Sequence, residues 1–372
     1  MAQLTLVLPF ALPAPEFAPD LARALDAPAL AALLSRTWSH QLAPAHPAAR
    51  ALPHELWLAR YRGLLSGDQP GFAAAAMRGF GLQPDAGTWF IVNPAHINIA
   101  RSHLTMADPR YLGLLEEESR ALFDAAKPSF DEAGYGLEYG DVATWFMRAD
   151  DWAGMDTASP DAALGMNLTD WMPTGPRALA YRKLQNEVQM VWFTHPANAA
   201  RAARRLQAVN AFWPWSGTTT SADSVVSADN VVNADNVVPA KGSAPPRGTP
   251  VRPPAPIGTP SIAAFETPGW LTALATRKLS SLSGIATGVT QDTLLICGNV
   301  AAPAVAADWN GWLQQMQHLE AELFAPVLAA LMRGEIKDLR LVLSHRSALA
   351  EFTTTALAQR KFWRRPTLDR LI

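Results

Sequence analysis

The chain has 372 residues with 31 basic and 33 acidic side chains, a formal charge of −2, and a composition that is 49% hydrophobic and 17% charged. That length and apolar content suit a folded protein with one large core or two of ordinary size. Near-neutrality disfavours a protein built around a nucleic-acid or acidic membrane surface, though it leaves room for local basic patches; a single cysteine, Cys297, excludes an intrachain disulfide and any cysteine-rich metal site.

No Lys or Arg precedes Arg23, so the basic start of a signal peptide is missing. Charged residues, Gly or Pro interrupt every apolar stretch short of the roughly 18 residues a membrane-spanning helix needs. The expectation is a cytoplasmic α/β protein with no membrane partner. In chain order, Leu4–Leu8 reads as a strand stopped by Pro9, and helical patterns follow at about Pro19–Leu34 and Pro53–Leu65. Thr88–Ile99 reads as two short strands divided by Pro94. The helix Leu112–Ala126 turns Leu114, Leu115, Leu122 and Phe123 inward and is expected to place Glu116, Glu117 and Glu118 in water as a solvated face. A Gly-rich turn then leads to a strand at Ala143–Asp150.

The next segment, Ala178–Gly217, is dense in polar and aromatic residues. Leu184, Val188, Val191 and Trp192 share one helix face, and Pro196 ends the helix. A residue before proline leaves the helical region, so His195 is expected to close one helix and cap the next, with Pro196 at its first position. Asn198 and Arg201 then stand one turn apart. His195, Asn198, Arg201 and the downstream Asn210 together make an anion-binding candidate, since Arg offers a planar fork and the others add donors. Against this stands a capped helix junction with a solvated arginine face, which spacing alone favours about three to one.

From Trp215 to Phe265 no aromatic residue occurs. Three hexads, SADSVV, SADNVV and NADNVV, begin at Ser221, Ser227 and Asn233, and a proline-rich stretch runs from Pro239 to Pro260. So few repeats cannot bury a face of their own, and the proline content favours an extended linker. Residues 216–261 are therefore expected to be a disordered insertion that divides one α/β domain into a first part, 1–215, and a second, 262–372. Beyond it a helix is expected near Gly269–Leu282, a buried strand at Thr293–Gly298, a long helix from Ala307 to about Met332 with a kink or restart at Pro326, and a strand pair at Asp338–Arg346 and Ala348–Thr355. The sum is a mixed sheet flanked by helices.

The runs Asn186–Met190 (NEVQM), His195–Arg201 (HPANAAR) and Val209–Gly217 (VNAFWPWSG) resemble the signature of the RpfE-type regulatory proteins, commonly labelled cofactor-independent phosphoglycerate mutase-like. Ala143–Asp150, Ala163–Pro176 and the ending Phe362–Pro366 extend the likeness, which is strong over 163–217 and weak over the rest of 85–372. His195, Asn198, Arg201 and Asn210 also resemble part of the archaeal-type cofactor-independent phosphoglycerate mutases of the alkaline phosphatase superfamily. The resemblance implies an alkaline phosphatase-like core. Active members hold two divalent metals with Asp and His, the first Asp following the N-terminal strand, and use a Ser or Thr nucleophile. Here that strand leads into PFALPAP with neither Asp nor Ser, and the C-terminal strand ends Leu343-Ser344-His345-Arg346 with one His and no adjoining Asp. Leu206 and Ala208 stand where relatives favour Gly and Pro, and Ser216 where they favour Gly.

The expected function is accordingly a non-catalytic, phosphoglycerate mutase-like regulatory protein without a cofactor, taking a small phosphorylated or carboxylated ligand or a protein partner. The alternative is a metal-dependent mutase or phosphatase, which would require manganese or another divalent cation. A third reading comes from Arg360–Arg365, RKFWRR, which interleaves basic and aromatic residues as single-strand nucleic-acid binders do. Packing of Phe362 and Trp363 onto the domain is the favoured alternative to it, so nucleic acid is not the expected partner.

Overall fold

The computed structural model describes residues 2–99, 103–221, 260–286 and 289–372. Two sheets organise them. The larger contains β1 (Ala2–Leu8), β2 (Ser39–Pro44), β11 (Ser261–Phe265), β12 (Arg277–Leu279), β13 (Thr293–Cys297), β14 (Ile336–His345) and β15 (Ala348–Thr355), in the order β12-β11-β13-β1-β14-β15-β2. The first five in that order run parallel, and the hairpin β14–β15 turns the sheet antiparallel toward its β2 edge. Covered on both faces, the central strands are the near-continuous apolar runs that a parallel sheet requires, and β13, TLLIC, is buried along its whole length.

The alternation of β1 divides the core. Leu4, Leu6 and Leu8 face the helices Pro28–Ser35, Trp309–Leu319 and Ala325–Arg333, whereas Val7 faces the opposite layer. The last two helices are joined by a π-helical turn, Glu320–Phe324. Pro326 lacks the N–H that a regular helix would use there, so the expected irregularity appears one turn upstream of the proline. Glu320 in this turn is buried and accepts the N–H groups of Ala29 and Leu30 at 2.7 and 3.0 Å, serving the otherwise orphaned N-terminus of the helix Pro28–Ser35.

The smaller sheet is antiparallel and contains β5 (Gly87–Ala95), β8 (Gly136–Asp141), β9 (Thr144–Arg148) and β10 (Ala211–Thr220), in the order β10-β5-β9-β8. Two short hairpins complete the strands: β3 (Leu65–Ser66) with β4 (Gln69–Pro70), and β6 (Ile97–Ile99) with β7 (Leu104–Met106). Trp89, Ile91, Trp213 and Trp215 point from the small sheet into the apolar layer that also receives Val7, Leu294 and Val342 of the large one. Phe90, Val92 and Phe212 point the other way, onto the helices Glu116–Glu132 and Ala178–Phe193. The two sheets thus share one middle layer.

Several expectations are corrected. The strand beginning near Thr88 is not divided at Pro94, which pairs with Phe212 inside β5; the break falls at His96. The helix expected at Gly269–Leu282 stops at Ala273, and Arg277–Leu279 is the edge strand β12. The insertion expected at 216–261 is too long at both ends, because β10 remains paired with β5 to Thr220 and β11 starts at Ser261. The hexads and proline-rich stretch within 222–259 lie outside the described residues. Glu118 is not solvated but buried, and Val191 faces outward instead of inward.

Candidate functional site

Ligand sites of open α/β sheets form beyond the carboxyl ends of the parallel strands. In this chain the groups there come from Phe10 after β1, Cys297 and Asn299 at the end of β13, and Ser344–Arg346 at the end of β14, with the helix Pro53–Arg62 lying over them. Phe10 occupies the left-handed region at φ 60°, an uncommon conformation for a bulky side chain, and its ring meets the His54 ring edge-on at 5.6 Å. Its N–H donates to Ser344 Oγ at 3.3 Å and its carbonyl accepts from Trp312 Nε1 at 3.0 Å. His54 Nδ1 lies 3.0 Å from the same Ser344 hydroxyl, and burial pushes its pKa down to about 3, so the ring is neutral.

Beside it, Glu55 is almost wholly buried. Its carboxyl accepts the Leu52 N–H at 2.7 Å, and burial, reinforced by nearby Asp161, pushes its pKa up to about 8 despite the backbone bond, Ser159 and Arg346. Arg346 is spent on the carbonyls of Ala162, Asp161 and Leu164, at 3.2 Å for Asp161 and 2.7 Å for Leu164. Cys297 is buried, and desolvation followed by the Glu266 charge raises its thiol pKa. Asn299 donates to Gln315 at 3.0 Å.

An alkaline phosphatase-like centre would require clustered Asp and His to hold divalent cations and a free hydroxyl nucleophile. The residues present do not fit. Phe10 fills the position after β1, Ser344 is held by Phe10 and His54, and among the described residues no three His, Cys, Asp or Glu side chains converge.

Of the four residues read from the sequence as an anion site, His195, Asn198 and Arg201 lie at the junction of the helices Ala178–Phe193 and Pro196–Ala203, whereas Asn210 stands at the start of β10, next to the Val209 backbone that Asn198 binds. The local reading is met: His195 is the N-cap, with Nδ1 accepting the Ala197 N–H at 3.2 Å, and Pro196 opens the second helix. Yet the donors turn inward. Asn198 Nδ2 donates to the carbonyls of Trp192 and Val209 at 2.8 Å each while its Oδ1 accepts the Val209 N–H at 2.9 Å. Arg201, fully buried, donates to the carbonyls of Gln207, Gly113 and Leu112 and pairs with Glu118 at 2.7 Å. Glu118 also accepts from Arg204 and from the Leu115 N–H. Asn210 exchanges two bonds with the Ile97 backbone, at 2.7 and 2.9 Å. An anion would have to displace these bonds to reach Asn198 or Arg201, which are buried; His195 and Asn210 are half-buried.

The reading of the sequence missed His54, Glu55 and Ser344 as a group. Glu55, three residues after Leu52 and following Pro53, carries a helix-start signal, but nothing in the sequence places it against Ser159 or His54 against Ser344. A cleft of about 230 Å³ opens beside Glu55 between the helix Pro53–Arg62 and the small sheet, lined also by Arg50, Asp156, Ser159, Thr88 and Trp215. Arg50 there is engaged by Asp156 at 2.9 Å and by the carbonyls of Asp170, Trp171 and Met172.

No protein-family model matches the chain, and no curated protein matches it. Among solved structures, the PH0037 protein from Pyrococcus horikoshii is similar over 95% of this chain and 87% of its own, with a TM-score of 0.52 and 12% identity. A cofactor-independent phosphoglycerate mutase from Thermoplasma acidophilum DSM 1728 aligns over 100% of this chain and 94% of its own, with a TM-score of 0.39 and 14% identity. At 12% identity the likeness to the Pyrococcus protein concerns the fold alone.

Proposed function

We propose that the chain is a phosphoglycerate mutase-like regulatory protein of the RpfE type, which works by binding rather than by two-metal phosphoryl transfer. One observation carries this reading: the carboxyl edge of the parallel strands is filled by Phe10 and by a Ser344 hydroxyl already engaged by the Phe10 N–H and His54. Binuclear phosphoryl transfer needs that edge to present several anionic ligands and a nucleophile. In this reading Asn198 and Arg201 buttress the helix junction from within, Asn210 ties the start of β10 to the Ile97 backbone, and His195 is the member of the motif that meets a small phosphorylated or carboxylated ligand at the surface. No cofactor is required.

Metal analysis of the purified protein, together with a mutase assay on phosphoglycerate with added manganese, tests the reading. The expected result is substoichiometric metal and no turnover. Tightly bound metal with turnover would establish the alternative, a metal-dependent mutase or phosphatase.

A further inference from the structure

The C-terminal segment carries a feature that the proposed function does not use. Phe362 and Trp363 do not pack onto the domain: they are 83% and 67% exposed, set edge to face at 5.3 Å, and Trp38 nearby is 75% exposed. Lys361 Nζ donates to the Thr37 carbonyl at 3.2 Å, which places the segment beside Trp38 at the β2 edge of the large sheet.

Six cations lie on this segment or, in the case of Arg36, two residues before Trp38: Arg36, Arg360, Lys361, Arg364, Arg365 and Arg370. Among the described residues no carboxylate forms an ion pair with any of them, although the whole chain carries −2. Their mutual field is felt locally. The pKa of Arg370 is lowered by burial and then by Arg364, and that of His40 by burial and then by Arg370. Arg36, Arg364 and Arg370 are anchored, donating to the carbonyls of Arg364, Ser35 and Leu34 at 3.2, 3.4 and 2.6 Å.

We propose that this surface, centred on Trp38, Phe362 and Trp363 and rimmed by these cations, binds single-stranded nucleic acid. The rings offer faces on which bases stack, and the guanidinium groups offer planar forks for phosphates. A second copy of the chain would bring like charge against like charge.

Fluorescence anisotropy of a labelled oligo(dT) of about 15 nucleotides, titrated with the full chain, tests the assignment. Expected is saturable binding that weakens between about 50 and 200 mM salt, with a log–log slope of about −0.7 per phosphate contacted. The exposed double variant F362A/W363A should lose about tenfold or more in affinity. R360A/R365A should flatten the salt slope by about 0.7 for each contact removed. Both variants should keep the parent melting temperature. Absence of binding at the lower salt overturns the proposal, as does binding that both variants leave unchanged. Capture by phosphatidylcholine/phosphatidylglycerol vesicles without any capture of oligo(dT) would overturn it in favour of a membrane.

Discussion

Replacing Glu55 by Gln tests the buried carboxyl beneath the cleft. Its pKa is raised from 4.5 to about 8, chiefly by burial. Between those values the folded protein holds a proton that the unfolded chain releases, so Glu55's contribution to stability is fully present below pH 4.5 and is lost as pH rises toward 8. Each pH unit costs about 1.4 kcal/mol. Gln is neutral throughout, and its carbonyl accepts the Leu52 N–H as the carboxyl does. Titrations shared by both proteins cancel in the comparison, so the stability of E55Q relative to the parent should climb by roughly 3 kcal/mol between about pH 5 and 7.5. Urea unfolding followed by tryptophan fluorescence at half-unit pH intervals measures that difference. A flat difference across the range would refute a buried, protonated Glu55.

His54 acts with the opposite sign. Its pKa falls from 6.5 to about 3, so His54→Gln should remove a loss of stability that the parent shows on acidification below pH 6.5; unchanged acid sensitivity in urea would contradict this. Arg201→Met leaves Glu118 buried with Arg204 alone and orphans three carbonyls, and the expected cost is about 3–5 kcal/mol by chemical denaturation. Asn198→Ala removes the acceptor of the Val209 N–H and the donors to Trp192 and Val209, for about 1–3 kcal/mol in the same assay; a neutral effect would restore Asn198 as a ligand contact. Gly79→Ala places a methyl 1.8 Å from the Ala273 carbonyl oxygen, where the helices Ala73–Gly79 and Gly269–Ala273 touch, and overpacking of about 1–3 kcal/mol should show as a lower melting temperature.

Along the chain, the sequence determined what depends on neighbours a few residues away. The apolar runs of β1, β13, β14 and β15, the Pro326 irregularity and the His195–Pro196 junction follow from period, backbone restriction and capping, all of which act within one or two turns. The start of β10 was harder, because VNAFWPWSG carries Pro214 in its middle, and only pairing with β5 identifies it as a strand.

Tertiary structure decided the fate of the polar groups. A glutamate in a first helical turn looks solvated until another helix brings Arg201 against it, as happens to Glu118. The motif His195–Arg201 looks like an anion grip until the carbonyls of Gln207, Gly113, Leu112, Trp192 and Val209 take its donors. Phe362 and Trp363 are expected from the sequence to pack on the domain, yet the fold leaves them in water beside Trp38. Hydrophobic period is a local property of the chain, whereas the partner of a buried donor or an exposed ring is set by contacts between segments up to hundreds of residues apart, which no spacing within the sequence encodes.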